Sequence, residues 1–193
     1  MATRKRLVAG GLGALALVLA AIVAAISLSG EVAARADRNG KAVVRLRNAA
    51  GAEIGEVKLK QQQDGVEVEV ESHGLTPGFH GFHVHTVGSC VGPDFGSAGG
   101  HFNMAGHSHP MHSGDMVSLL VGPDGSGEAN FTTSSFKVAD LFDADGSAVI
   151  VHAGPDNFAN IPARYAAGGP DATTLATGDS GARTACGIVE RDS

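Results

Sequence analysis

Six histidines and one aspartate stand at spacings that suit metal chemistry. His83 and His85 lie in GFHVH, His101 in GGHFN, His109, His112 and Asp115 in HSHPMHSGD, and His152 in VIVHAGPDN. Imidazole nitrogen suits copper and zinc, and imidazoles with one carboxylate and no thiolate suit zinc in a tetrahedral position. Seven such donors are enough for two adjacent ions, one served by four imidazoles and the other by imidazoles plus the carboxylate. His83 and His85 are two apart on a predicted strand, so they share a face, while Phe82 and Val84 point the other way, toward an apolar core. His73 and His107 read as ordinary solvated side chains, and His80 as a buried histidine bonded to nearby backbone. A loose His-rich chelating tract at 107–112 would leave the strand-borne pair and the isolated His152 unexplained. Met104, Met111 and Met116 lie in the same stretch. They read as loop packing, with soft thioether ligation of Cu(I) as the alternative.

Short strands must carry these side chains. AVVRLRN (42–48), EIGEVKLK (53–60) and VEVEVES (66–72) alternate apolar and polar residues, the period of a half-buried strand. Further strands are predicted at 79–86, 115–121, 127–133, 147–152 and 184–190, with GPDG at 122–125 as a turn. Eight short strands point to an all-β sandwich or flattened barrel. Two long segments, 86–114 and 153–182, break the rhythm. Both are rich in Gly, Pro, Ser and Asp, and loops of such length in a compact domain are usually functional or disordered. The first holds three of the seven candidate ligands and runs up to a fourth, Asp115, which makes it functional. Asn130-Phe131-Thr132 matches a glycosylation triplet inside a predicted strand, a weak signal.

A chain of 193 residues predicts one domain once its N-terminus is set aside. Arg4-Lys5-Arg6 precedes an uncharged apolar run over 7–29, the pattern of an export signal. Ala34-Arg35-Ala36 offers a small-x-small cleavage site, so 1–36 reads as a signal peptide or, uncleaved, as a membrane anchor. Residues 37–193 then form the functional domain. They carry 10 basic and 19 acidic residues, a formal charge of −9. That balance excludes nucleic acid as a partner and excludes binding to an anionic membrane surface, leaving the N-terminal segment as the sole membrane contact. Cys90 and Cys186 are the only cysteines. In an exported chain they are expected to pair, closing a loop whose chain entropy is worth up to about 4.7 kcal/mol.

Taken together, GFHVH, SAGGHFN, HxxHxGD, VIVHAGPDN and GART-ACG resemble, in order and over roughly residues 40–190, the copper/zinc superoxide dismutase family, in its exported bacterial type. The resemblance implies an eight-stranded Greek-key barrel with the metals held on its outside by two long loops. It assigns copper to His83, His85, His101 and His152, and zinc to His101, His109, His112 and Asp115, with His101 bridging. Asp156 would link a copper histidine to a zinc histidine, Arg183 would guide the anionic substrate, and Cys90–Cys186 would tie the first loop to the barrel.

The implied activity is extracytoplasmic conversion of superoxide to dioxygen and hydrogen peroxide through alternate reduction and oxidation of copper, with His101 helping to deliver a proton. The competing reading is a non-catalytic module that buffers or stores copper and zinc. Arg183 and Asp156 separate the two, because a storage protein needs neither an anion guide nor a tuned ligand environment. A monomer and a homodimer are both compatible with the sequence.

Overall fold

The computed structural model describes residues 40–192; the export segment expected at 1–36 lies outside them. Nine strands are formed among the described residues: β1 Lys41–Asn48, β2 Glu53–Gln61, β3 Val66–Ser72, β4 Gly78–His80, β5 Phe82–His85, β6 Leu119–Val121, β7 Gly127–Thr133, β8 Ala148–His152 and β9 Arg183–Arg191. They make one antiparallel sheet in the order β4-β6-β7-β3-β2-β1-β9-β8-β5. Its two ends, β4 and β5, are consecutive in the chain and separated by Gly81 alone, so the sheet curls into a nearly closed flattened barrel whose seam the chain itself crosses. The connections are of Greek-key type: β3 pairs with β7 rather than with its successor, and β1 pairs with β9.

Two expectations need correction. The run 79–86 is two strands, because Gly81 changes partners, with β4 bonded to β6 and β5 to β8. The Gly81 N–H donates to the Gly154 carbonyl and its carbonyl accepts from the His152 N–H, both at 2.8 Å. A Cβ at this point would run into Ser180. The run 115–121 keeps only 119–121 as a strand. Asp115 makes an isolated bridge to His83 instead, so the preceding residues belong to the first long loop.

The period-2 alternation builds the core as the sequence demands. Ala42, Val44 and Leu46 of β1 point inward, as do Val66, Val68 and Val70 of β3. Outside, Lys58 faces Glu69 and Lys60 faces Glu67, opposite-charge cross-strand pairs of about 0.2–1 kcal/mol each. β8 is buried on both faces. Val149 and Val151 enter the main core, while Ala148 and Ile150 meet Phe95, Ala98, Cys90 and Cys186 in a second apolar cluster. That cluster lies under the first long loop and seats it on the barrel wall. Burying a side chain the size of Ile150 or Phe95 stabilises the seat by about 1.5–3 kcal/mol. A disulfide between Cys90 and Cys186, with Cα atoms 5.7 Å apart, fastens the same loop to β9. Of the three methionines, Met116 packs into the core, but Met104 and Met111 are exposed at 53% and 67%. Packing therefore accounts for one of them.

Candidate metal centre

The geometry of β5 explains why donors distant in sequence converge. One edge of β5 pairs with β8, which puts His152 one residue beyond the ladder and beside Gly81. Its other edge is taken by the first loop. The Val84 N–H donates to the Gly114 carbonyl at 2.9 Å, and the Val84 carbonyl accepts from the Phe102 N–H at 2.8 Å. These bonds bring His101 against His85 and Asp115 against His83. Gly114 permits the approach, since a Cβ there would meet the Val84 carbonyl. The second loop supplies the remaining walls, and the His109 N–H donates to the Leu175 carbonyl at 2.8 Å.

Two groups of donor atoms result, each gathered within 4.8 Å: His83, His85, His101 and His152 in one, and His83, His101, His109 and Asp115 in the other. His112 adjoins the second group, with Nδ1 3.4 Å from His101 Nδ1 and 3.2 Å from Asp115 Oδ2. All seven candidate ligands thus lie together, and His101 belongs to both groups. His73 and His107 are exposed and apart from them. His80 is buried, with Nδ1 2.6 Å from the His152 carbonyl and Nε2 2.8 Å from the Thr76 carbonyl, and it braces the strand that carries His152.

Each ring has one nitrogen engaged by the protein. His83 Nε2 and His109 Nε2 donate to the two oxygens of Asp156, at 2.7 and 2.8 Å. His85 Nδ1 donates to the Gly99 carbonyl at 3.0 Å and His152 Nδ1 to the Gly181 carbonyl at 3.1 Å. His101 Nδ1 lies 2.7 Å from Asp115 Oδ1. The opposite nitrogens, His83 Nδ1, His85 Nε2, His101 Nε2, His109 Nδ1 and His152 Nε2, are buried without a hydrogen-bond partner. His109 Nδ1 is 3.0 Å from Asp115 but out of alignment for a hydrogen bond. Buried polar atoms are nearly always satisfied, so five orphaned nitrogens, one on each histidine of these two groups, are suited to cations held there. The donor set, imidazole with a single carboxylate and no thiolate, fits copper and zinc.

The sequence profile described as copper/zinc superoxide dismutase (SODC) matches residues 53–189. The chain belongs to the copper/zinc superoxide dismutase family. It is 49% identical over 140 residues to a Cu-Zn superoxide dismutase of Mycolicibacterium paratuberculosis, covering 64% of this chain and 62% of that protein. It is 43% identical over 157 residues to that of Mycobacterium tuberculosis, covering 72% and 65%. The chain thus spans less than two thirds of the length of these relatives. A crystal structure of a superoxide dismutase-like protein from Bacillus subtilis superposes with a TM-score of 0.62 at 35% identity, covering 76% of this chain and 96% of that one.

In this member of the family the surroundings set the charge of each group. Burial pushes His85 down to about 2, against the Gly99 hydrogen bond, and His152 down to about 3, aided by the nearby His83. His83 and His112 are also lowered, chiefly by burial. Burial would lower His109 too, but Asp115 and Asp156 outweigh it and raise the imidazole to about 9. At both carboxylates burial is outweighed by the facing imidazoles, His101 and His109 at Asp115 and His109 and His83 at Asp156, which hold the pair well below the usual range. His83, His85 and His152 are therefore neutral and able to ligate, beside carboxylates that stay ionised.

Arg183 opens β9 and is half-buried. Its Nη1 donates to the Phe95 carbonyl and its Nη2 to the Gly99 carbonyl, both at 2.6 Å. The Gly99 oxygen thus accepts from both Arg183 and His85. It was not legible as a participant, because a backbone carbonyl leaves no trace in residue type; the doubled glycine before His101 was the one available signal. Gly178 was missed for a similar reason. It stands at φ +59°, and a Cβ would collide with the Asp156 carboxylate and with His109 Nε2, which lies 2.5 Å from the Cβ position.

Replacing Gly178 by Ala is expected to displace Asp156 from His109, lowering zinc affinity about 10- to 100-fold while circular dichroism shows the barrel retained. Competitive zinc titration checks this, and unchanged affinity would overturn it. For metal-free protein, His85 and His152 have folded values below their unfolded 6.5, so their contribution is intact above about pH 6.5 and is lost as pH falls toward 3. His109 has a raised value, so its contribution is present below 6.5 and is lost as pH rises through about 9. The urea midpoint of the metal-free protein is therefore expected to peak near pH 6.5 and fall on both sides. A flat profile from pH 5 to 9 would contradict the assignment.

Proposed function

We propose that this protein is an exported superoxide dismutase in which residues 37–193 form the catalytic domain. The observation that carries the reading is the set of five orphaned imidazole nitrogens converging in two groups beside Arg183. Copper held by His83, His85, His101 and His152 would supply the one-electron chemistry that side chains lack, with zinc held by His101, His109, His112 and Asp115. In the net reaction two superoxide anions and two protons give one dioxygen and one hydrogen peroxide.

This chain's own residues do the rest. The domain is acidic overall, so its general field repels superoxide, and Arg183 supplies the local positive potential that draws the anion in. Its two backbone hydrogen bonds hold the guanidinium in place, so no ordering is needed when the anion arrives. His101 Nε2 is the atom at which a proton can be held beside the reacting anion, and Asp115 keeps that ring oriented. Asp156 gives one carboxylate to His83 and His109 and so ties the copper geometry to the zinc geometry. A protein that only stored the ions has no use for a fixed guanidinium at the mouth of the site.

Export is supported by the basic and apolar pattern of residues 4–29 and by the Cys90–Cys186 disulfide, which persists in oxidising compartments.

Purified domain is expected to contain one copper and one zinc per chain and to accelerate superoxide decay, and His152→Ala to fall to near background. Full activity in that variant or in copper-free protein would defeat the assignment. In the native host the protein is expected outside the cytoplasm, either beginning near Asp37 by mass or still held by its N-terminal segment. Recovery of all full-length protein from the soluble cytosol would overturn export.

A further inference from the structure

The first long loop, over 86–114, contains a single charged side chain other than histidine, and that side chain is Asp94. It stands beside Arg183. Pro93, Asp94, Gly181, Ala182 and Arg183 together line an open depression of about 350 Å³. The Gly181 carbonyl in its wall is the one that accepts from His152 Nδ1, and Phe95, next to Asp94, supplies the carbonyl that holds Arg183 Nη1. The depression therefore borders the backbone that orients His152 and the backbone that holds Arg183.

Asp94 is exposed, and its Oδ1 accepts the Gly96 N–H at 3.1 Å, which fixes the carboxylate at the rim. Among the described residues Arg183 has no carboxylate within ion-pairing distance; its two hydrogen bonds go to backbone carbonyls. Asp94 is the charge that acts on the guanidinium, opposing the effect of burial upon it. A carboxylate that faces an arginine across open space without closing on it leaves room for a small ligand between them, and repels that ligand in proportion to the ligand's charge.

We propose that Asp94 is a charge filter beside Arg183, weakening the hold on dianions such as sulfate or phosphate more than the hold on monoanions. This rests on the dismutase reading for the identity of the monoanion but not for the filter itself. Arg183 alone would attract a dianion twice as strongly as superoxide, and common oxyanions would then occupy the entrance. The fixed negative charge subtracts from that attraction with the same proportionality, so the dianion loses twice as much as the monoanion. Some encounter rate with superoxide is given up in return.

The test compares the parent with Asp94→Asn and the charge-conserving Asp94→Glu. Nitrate and sulfate are titrated into the reduced, fully metal-loaded protein and followed at the Arg183 guanidinium resonance, identified by its loss in Arg183→Lys. In Asp94→Asn nitrate affinity is expected to rise about threefold and sulfate affinity by about the square of that, ninefold, at low ionic strength, because the repulsion scales with ligand charge. Asp94→Glu is expected to match the parent. The rate constant for superoxide should rise about threefold in Asp94→Asn at low salt and converge on the parent value near 1 M salt, where screening acts within about 3 Å. Equal gains for nitrate and sulfate, no gain for either, or the same gain in Asp94→Glu would each overturn the filter. A protein that binds both anions as expected but does not dismutate superoxide would refute the functional reading and leave the filter standing.

Discussion

A neutral imidazole has one N–H and one lone pair, and the whole centre depends on the protein claiming the first so that the second is aimed. Asp156 does this for His83 and His109 with its two oxygens, and the carbonyls of Gly99 and Gly181 do it for His85 and His152. His101 is the exception, because its Nδ1 faces Asp115, itself a member of the second group. Each acceptor fixes a tautomer as well as a ring position, so the orphaned nitrogens converge without any metal having to gather them. Those acceptors come from both long loops, and for this reason the loops must be held as firmly as strands. The second apolar cluster, the disulfide and the bonding of Val84 to residues 102 and 114 hold the first. The second is held from its ends, by the pairing of β8 with β9 and by the bonds of Gly81 to residues 152 and 154.

The electrostatics follow from the same arrangement. Burial keeps His85 and His152 neutral, while the carboxylates of Asp115 and Asp156 remain ionised because imidazole N–H groups surround them. Positive charge at the entrance is then left to Arg183, set on the Gly99 carbonyl that also orients His85. A small movement of that one carbonyl would disturb the Arg183 guanidinium and the His85 ring together. If the proposed substrate is an anion, an acidic domain has to concentrate its attraction in this way, since its overall field works against it.

Much of the fold was legible because half-buried strands declare themselves by alternation. The runs at 42–48, 53–60, 66–72 and 127–133 match the observed β1, β2, β3 and β7 within a residue at either end. The failures share one cause, a change of partner along a run that still looks like a strand. Gly81 divides 79–86 because the strand passes from one end of the sheet to the other, which local pattern does not encode. Residues 115–118 leave the barrel because Asp115 is drawn toward His83 and His101. Met104 and Met111 looked like packing residues by type, yet exposure is a property of the folded loop and not of methionine.

The sequence by itself determined the chemistry. Residue type settles which atoms can bind copper and zinc, the uneven charge balance makes a lone arginine conspicuous, and two cysteines allow a single internal disulfide. Period and turn residues determined that those atoms sit on strands and on two long loops. Only the tertiary structure decided which nitrogen of each ring faces the cluster, and that the carbonyls of Gly99 and Gly181 and the bare Cα of Gly178 are part of the site. The physical reason is that these are matters of backbone direction and of space between segments up to 84 residues apart, as for Arg183 and Gly99, and neither is written in the identity of a side chain.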